Sequence, residues 1–395
     1  MTDPSEARPA PSLVPPTSLV RTGTEFAELD RLVFEEENWW ALPVAEQAAL
    51  RHRFVAAAVE HHLEHNADYR RFAEARGFTL ADLDEPAGLA RVPQFPTRLF
   101  KRAEIRSVPA QECDVFKSSG TSGTRSMVWR DEPSLERLAG SLHPEGDIWR
   151  TLYGDIDLDD DGMMIHLGPN RCEADGVWIS YIMTLVEMFA STTSYVRDGV
   201  LHLKDAVRDL ENALAEGRFV CVAGPPVFVA ELLRHMAENS VKVAAGERMA
   251  VITGGGWKKS ESTRLDPDEL RALAMDTFGL ADASQVRDVF NQVELNTAFI
   301  ECEHHRKHVP PWVEVIVRDP RDLAPLPAGE TGLMSYLDPT ARSYPCFLLA
   351  EDFGSAVTGG CPCGRGGTTV EIHRRMKASS HHGCALRLAE TVRTD

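Results

Sequence analysis

Between Phe116 and Ser126 the chain reads Phe-Lys-Ser-Ser-Gly-Thr-Ser-Gly-Thr-Arg-Ser, and ten of these eleven residues are hydroxyl-bearing, glycine or basic. Such a run can cradle phosphate. Glycine lets backbone N–H groups approach closely, hydroxyls add donors, and a cation offsets the charge. It is not the Walker pattern, because no Gly-Lys-Ser/Thr follows Gly120 at the required spacing. On composition alone the run also reads as a flexible Ser/Gly linker. Its place argues against that, since it separates a helix-rich stretch from a body of alternating strands and helices.

Sulfur chemistry forms a second group. Cys361-Pro362-Cys363-Gly364-Arg365 is a tight thiol pair, and Cys302-Glu303-His304-His305-Arg306-Lys307-His308 lies earlier in the chain. Cys302, His308, Cys361 and Cys363 supply the four ligands of a closed tetrahedral zinc site, with His304 or His305 as substitutes for His308. Unliganded thiols are the other reading, because Cys-x-Cys is less usual than Cys-x-x-Cys. Four protein ligands leave no open position, so zinc here would be structural rather than catalytic. Cys384 stands apart, in His381-His382-Gly383-Cys384, eleven residues from the end. A neighbouring imidazole lowers a thiol's pKa or acts as its base, which suits a nucleophile. The plainer reading of Cys384 is a small apolar residue in a terminal strand.

These groups need elements to position them. Thr24 to Glu37 and Val44 to Arg76 are rich in Ala, Leu, Glu and Arg, and Leu50, Phe54, Ala57 and Ala58 fall at helical spacing. Further helices are expected at Trp178 to Ala190, Leu203 to Ala215 and Val227 to Glu238. Short apolar runs of strand type lie at Met163 to Leu167, Phe219 to Ala223, Met249 to Thr253, Val286 to Phe290, Val313 to Val317, Leu333 to Leu337 and Phe347 to Leu349. Strands alternating with helices indicate an α/β protein with substantial parallel sheet, in which ligands collect beyond the strands' carboxyl ends. Glu294, just after the apolar Val289-Phe290, reads either as such a ligand-facing carboxylate or as a surface glutamate. Asp352, shortly before Gly354, reads either as a site carboxylate or as a turn residue.

Composition bounds the function. The 395 residues are 43% hydrophobic and 26% charged, an ordinary globular mixture, and carry a formal net charge of −18. That charge argues against general affinity for nucleic acid or anionic membranes. No run of about 18 apolar residues occurs, so no spanning helix is expected. Met1 to Ser18 holds five prolines and no apolar core, and reads as a disordered leader rather than a secretory signal. Eight cysteines in a long acidic chain without a signal point to a reducing cytoplasm.

The ordered motifs resemble a known family. Ser118 to Gly123 is similar to the Ser-Ser-Gly-Thr-Thr-Gly loop of the adenylate-forming superfamily, which grips the phosphates of ATP. Pro93-Gln94-Phe95-Pro96 and Leu99-Phe100-Lys101 resemble one branch, the LuxE-type acyl-protein synthetases, near relatives of phenylacetate–CoA ligase. Thr253-Gly254-Gly255-Gly256-Trp257-Lys258 resembles that branch's Gly-Gly-Trp-Lys turn, and Phe290-Asn291-Gln292-Val293-Glu294-Leu295-Asn296 its Thr-Glu-Leu-Asn segment. Pro310-Pro311-Trp312, Asp319-Pro320 and Glu351-Asp352-Phe353-Gly354 follow in the same order, the last resembling the ribose-binding segment. The Cys-Pro-Cys-Gly-Arg string is similar to phenylacetate–CoA ligase relatives, some of which hold zinc.

The resemblance implies the large N-terminal domain of an adenylate-forming enzyme with a truncated C-terminal segment. Residues 1–20 would be the leader, 21–373 the core (a helical part, then the α/β body) and 374–395 a short tail in place of a mobile domain. The implied activity is ATP- and Mg²⁺-dependent conversion of a small carboxylic acid to an acyl-adenylate, then transfer to a thiol. That thiol would be Cys384, a partner protein, a carrier protein or CoA. An amide ligase delivering the acyl group to an amine, and a non-catalytic zinc-bearing module, are the alternatives. Ser118, Ser119, Gly120, Thr121, Ser122, Gly123 and Thr124 would bind phosphate, supplemented by Lys117 and Arg125. Glu294 would carry Mg²⁺, and Lys258 would reach substrate or phosphate unless it is simply exposed. Gly254, Gly255, Gly256 and Asn291 would meet the adenine and Asp352 the ribose, with Arg375 at the apparent hinge. Asn291 stands where the superfamily has glycine, and Val293 where it has a hydroxyl, a departure that bears on the adenine-side hydrogen bonds. The acid itself, aromatic or fatty, is not legible.

Overall fold

The computed structural model describes residues 24–36, 38–118, 124–142, 147–173, 176–188, 190–257, 264–375 and 393–394. The expected leader, residues 1–20, lies outside them. Helix α1 (Glu25–Glu35) leads into α2 (Val44–His65) and α3 (Ala67–Glu74). The helix expected over Val44 to Arg76 is therefore two. Asn66 breaks it, because its side-chain oxygen accepts from the Tyr69 N–H at 2.8 Å and starts α3 afresh. Helix α2 buries Leu50, Phe54, Val55, Ala58 and Val59 on one side.

A short strand β1 (Phe95–Pro96) precedes the hairpin β2 (Cys113–Lys117) and β3 (Met127–Asp131). Asp131 caps α4 (Glu132–Ser141), accepting from Ser134 N, and α5 (Asp147–Tyr153) follows.

The body is β4 (Gly162–Pro169), α6 (Trp178–Thr184), β5 (Thr192–Arg197), β6 (Val200–Leu201), α7 (Leu203–Ala215), β7 (Phe219–Gly224), α8 (Pro226–Glu238), β8 (Met249–Gly254), α9 (Pro267–Phe278) and β9 (Val286–Phe290). Strands β5, β4, β7, β8 and β9 are parallel neighbours. Every residue of β7 is buried, as a central parallel strand between helical layers requires. After β9 the sheet turns antiparallel through β10 (Phe299–Glu301), β11 (Lys307–His308), β12 (Glu314–Arg318), β13 (Gly332–Leu337), β14 (Phe347–Thr358) and β15 (Thr368–Arg375). Arg393–Thr394, β16, pairs with β6 at the far edge.

Together these make one 14-stranded sheet in the order β12-β13-β14-β15-β11-β10-β9-β8-β7-β4-β5-β6-β16, with β1 beside β14. The expected α/β class holds, with the strands from Phe299 to Arg375 forming its antiparallel half. Glu294 follows β9, where the parallel half meets the antiparallel one. Among the described residues no helix is long and apolar enough to cross a membrane.

Candidate active site

The hydroxyl- and glycine-rich segment connects β2 to β3, which pair antiparallel. Lys117 pairs with Met127, and beyond them Ser118 N donates to Ser126 O at 3.0 Å while Ser126 N donates to Ser118 Oγ at 2.9 Å. Ser118 thus closes the neck of the loop. Thr124 is exposed at its far side. Ser119, Gly120, Thr121, Ser122 and Gly123 lie outside the described residues, as do Lys258 and Cys384.

Residues 291–297 form a compact turn after β9. Asn291 Nδ2 donates to Leu295 O at 3.2 Å and to Thr297 O at 2.9 Å, and its Oδ1 accepts from Trp178 Nε1 at 2.5 Å. Both ends of its amide are therefore engaged in shaping the turn. Glu294 is 4% exposed, and its carboxylate forms no ion pair among the described residues. Its carbonyl accepts from Tyr344 Oη at 3.0 Å and Cys346 Sγ at 3.2 Å.

Opposite the turn stands Asp352. It lies inside the twelve-residue strand β14, not in a turn, and is paired in register with Arg375 of β15. The Arg375 side chain lies outside the described residues. Gln292 Nε2 donates to Asp352 Oδ2 at 2.7 Å, which ties the Glu294 turn to the proposed ribose carboxylate. Gln292 Oε1 is buried without a hydrogen-bond partner among the described residues.

On the other flank β8 ends at Gly254, in register with Val289 of β9. Gly255 has φ +89°, a backbone state that favours glycine. A Cβ on Gly254 would meet only ordinary contacts, 3.6 Å from Val289 O and 3.7 Å from Met183 Sδ, so packing does not demand glycine there. Gly256 is half-buried. Beneath this loop Thr253 Oγ1 donates to Asp288 Oδ1 at 2.7 Å, and Lys307 Nζ joins Asp288 at 3.0 Å to Glu301 at 2.9 Å.

The structure brings the four sulfur and imidazole groups together. Cys302 follows β10, His308 lies in β11, and Cys361 and Cys363 occupy the turn between β14 and β15; their ligand atoms all fall within 4.8 Å of one another. Cys302 Sγ is 3.7 Å from Cys361 Sγ, Cys363 Sγ is 3.2 Å from Cys361 Sγ, and Cys363 Sγ is 3.3 Å from His308 Nε2. A tetrahedral zinc with Zn–S near 2.3 Å spaces its ligand atoms about 3.5–3.8 Å apart, so the residues fit the ion. Burial pushes the Cys361 thiol up to about 12. A divalent cation is the charge that would bring its thiolate down again. Arg365 bridges the two ligand-bearing segments through Glu303 at 2.7 Å. His304 and His305 are not in the cluster.

His166 is fully buried, its Nδ1 3.1 Å from Ser194 Oγ, and burial lowers its pKa to about 4, so it is neutral. Of Trp178, Tyr181 and Phe228, the apolar candidates for lining an acid pocket, Trp178 and Phe228 are 2% and 1% exposed and packed in the core, while Tyr181 is half-buried and stacked on Trp178. The residue that sequence motifs miss is Arg130, on β3. It is wholly buried, and its guanidinium carbon stands 3.6 Å over the Trp178 ring. A period-2 reading of β3 would have put it beside buried Val128, facing inward.

Comparisons with known proteins place the chain in a family. The family "Acyl-protein synthetase, LuxE" matches residues 20–393. A long-chain-fatty-acid–luciferin-component ligase of Vibrio harveyi is 39% identical over 367 residues, covering 92% of this chain and 93% of that protein. Its counterpart from Aliivibrio fischeri is 36% identical over 371 residues, 93% of this chain and 94% of that one. Among solved structures, a 2-hydroxyisobutyryl-CoA ligase in complex with 2-HIB-AMP and CoA superposes with a TM-score of 0.62 at 16% identity, covering 85% of this chain and 70% of that one. That likeness speaks for the fold alone. Fold, motif order and family match converge: the chain belongs to the LuxE family of acyl-protein synthetases.

Proposed function

We propose that this enzyme activates a long-chain fatty acid with ATP and passes the acyl group through Cys384 to a partner. The observation that carries the first step is the hydrogen bond from Gln292 that ties Asp352 to the turn bearing Glu294, which follows β9 next to the Gly254 end of β8. Membership of a family of synthetases removes the reading as a non-catalytic zinc-bearing module. The long-chain acid is taken from the names of the two relatives at 39% and 36% identity.

In adenylation, a carboxylate oxygen attacks the α-phosphorus of ATP, a new O–P bond forms, and pyrophosphate leaves. Two anions must meet, so the site has to offset charge. Glu294 suits Mg²⁺, being a nearly buried carboxylate without an ion-pair partner among the described residues. The ion would neutralise phosphate charge, and the hydroxyls and backbone N–H groups of residues 118–124 would orient the polyphosphate. The buried Gln292 Oε1 offers an acceptor to the nucleotide, Asp352 accepts from ribose hydroxyls, and the backbone of the exposed Gly255, free of a side chain, would let a flat base approach. In transfer, the Cys384 sulfur attacks the acyl carbonyl, AMP leaves, and a thioester forms for delivery onward.

The reading is tested by pyrophosphate release with a series of acids. Long-chain fatty acids should give the highest kcat/KM; a preference for short or aromatic acids would overturn the assignment of the substrate. Asp352→Ala should raise the KM for ATP about tenfold with little change in kcat, because ribose contacts persist through the reaction and count as uniform binding. An unchanged KM for ATP would remove Asp352 from the ribose.

Structural zinc is part of the same proposal. The ion would pin the β14–β15 turn to the β10–β11 hairpin, whose Lys307 and Glu301 hold Asp288 beneath the Gly254 loop. Protein prepared without chelator should contain about one zinc per chain, and Cys361→Ser should lose both the metal and several degrees of melting temperature. Metal analysis that finds none ends this part of the account.

A further inference from the structure

We propose that Arg130 is a positioning residue for adenylation, a buried fork that holds the Glu294 turn in register with the phosphate loop. The inference rests on the reading of Glu294 as the magnesium carboxylate. Arg130 is 0% exposed. Its Nε donates to Asn296 Oδ1 at 2.8 Å, and its Nη2 to Val293 O at 2.6 Å, Tyr344 Oη at 3.0 Å and Leu295 O at 3.3 Å. Three of these four acceptors belong to residues 293–296, on either side of Glu294. The fourth, Tyr344, donates onward to the Glu294 carbonyl.

All four acceptors are neutral, and Arg130 forms no salt bridge among the described residues. Its Nη1 is buried without a hydrogen-bond partner among them. A buried cation with no carboxylate in hydrogen-bonding reach costs stability, and an apolar side chain of like size would pack there at less cost. What the guanidinium supplies instead is geometry: a rigid planar fork that a lysine cannot reproduce.

The placement of β3 gives that geometry its consequence. The strand leaves the hydroxyl-rich loop directly, with Ser126 at the neck and Arg130 four residues on. The Trp178 ring lies under the guanidinium and donates to Asn291, the residue that shapes the turn from inside. Asn296 carries the tie further, its Nδ2 donating to Ser134 O at 2.9 Å in the helix after β3. The strand that leaves the hydroxyl-rich segment and the turn that bears Glu294 are therefore tied together by Arg130, with Asn296 adding a second tie.

The test uses Arg130→Lys and Tyr344→Phe in the full chain, scored by acid-dependent pyrophosphate release. Arg130→Lys keeps the charge and loses the fork; kcat should fall about 100-fold, as displacing a catalytic group by about an ångström does. The Mg²⁺ concentration for half-activity should rise about tenfold while the KM for the acid stays within about threefold, a split that general loss of folded protein does not produce. Tyr344→Phe removes one arm and should cost about tenfold in kcat at an unchanged melting temperature. Wild-type kcat and Mg²⁺ dependence in Arg130→Lys would overturn the proposal, since charge alone would then suffice. Should Arg130→Lys yield no folded protein, Tyr344→Phe decides, and an unaltered Mg²⁺ requirement overturns the positioning role. If Glu294→Gln stays active while Arg130→Lys is dead, Arg130 does not act through Glu294 and the proposal falls with the metal reading. If Glu294→Gln is dead and both other variants are normal, the metal reading stands and only the role of Arg130 is lost.

Discussion

Glu294→Gln is expected to abolish acid-dependent pyrophosphate release, by about 10²–10³-fold or more, with the melting temperature unchanged. The substitution keeps the shape of the side chain and the turn, because the turn is held by backbone carbonyls of Val293, Glu294 and Leu295 rather than by the Glu294 carboxylate. It removes the anion that Mg²⁺ needs against clustered phosphates, and a neutral amide oxygen is a far weaker ligand for a hard dication. Extra Mg²⁺ should restore little activity, since the loss is in charge stabilisation at the transition state as well as in binding. Normal pyrophosphate release from this variant would take Glu294 out of the site.

The second large effect separates the two half-reactions. With ATP, Mg²⁺ and the correct acid, the wild-type chain should accumulate a covalent acyl group that neutral hydroxylamine cleaves. Cys384→Ser should still release pyrophosphate, because the hairpin loop, Glu294 and Asp352 are untouched. Transfer should fail, since a serine hydroxyl near neutral pH is a far poorer nucleophile than a partly ionised thiol. Normal transfer by this variant to an external thiol or amine would make Cys384 a packed residue. The adenylate would then be delivered directly to its acceptor.

The parts of the fold that the sequence made legible were those written in local period. Leu203–Ala215 shows an amphipathic repeat and forms a helix over those residues; Val286 to Phe290 is likewise a strand over the expected span. Asp352 was harder, because Glu351-Asp352-Phe353-Gly354 looks like turn chemistry, yet pairing on both sides by β13 and β15 draws it into a long strand. The cysteine cluster was legible because ligand chemistry is specific to residue type: Cys302 and Cys361 are 59 positions apart and meet across two hairpins. Arg130 was not. Its acceptors lie 163 to 214 positions away, and a lone arginine in a strand carries no motif, only an alternation with Val128 that hints at an inward side chain. Long-range polar ties of this sort are set by tertiary packing, which local pattern does not encode.

Acid-dependent exchange of labelled pyrophosphate into ATP tests the central claim most directly, because only a reversible adenylate intermediate links the two. With Mg²⁺ and a long-chain fatty acid, the label should enter ATP rapidly in the wild-type chain and at an undiminished rate in Cys384→Ser. It should enter negligibly in Glu294→Gln. Absence of exchange in zinc-replete wild-type protein across fatty and aromatic acids would contradict acyl-adenylate formation by this chain.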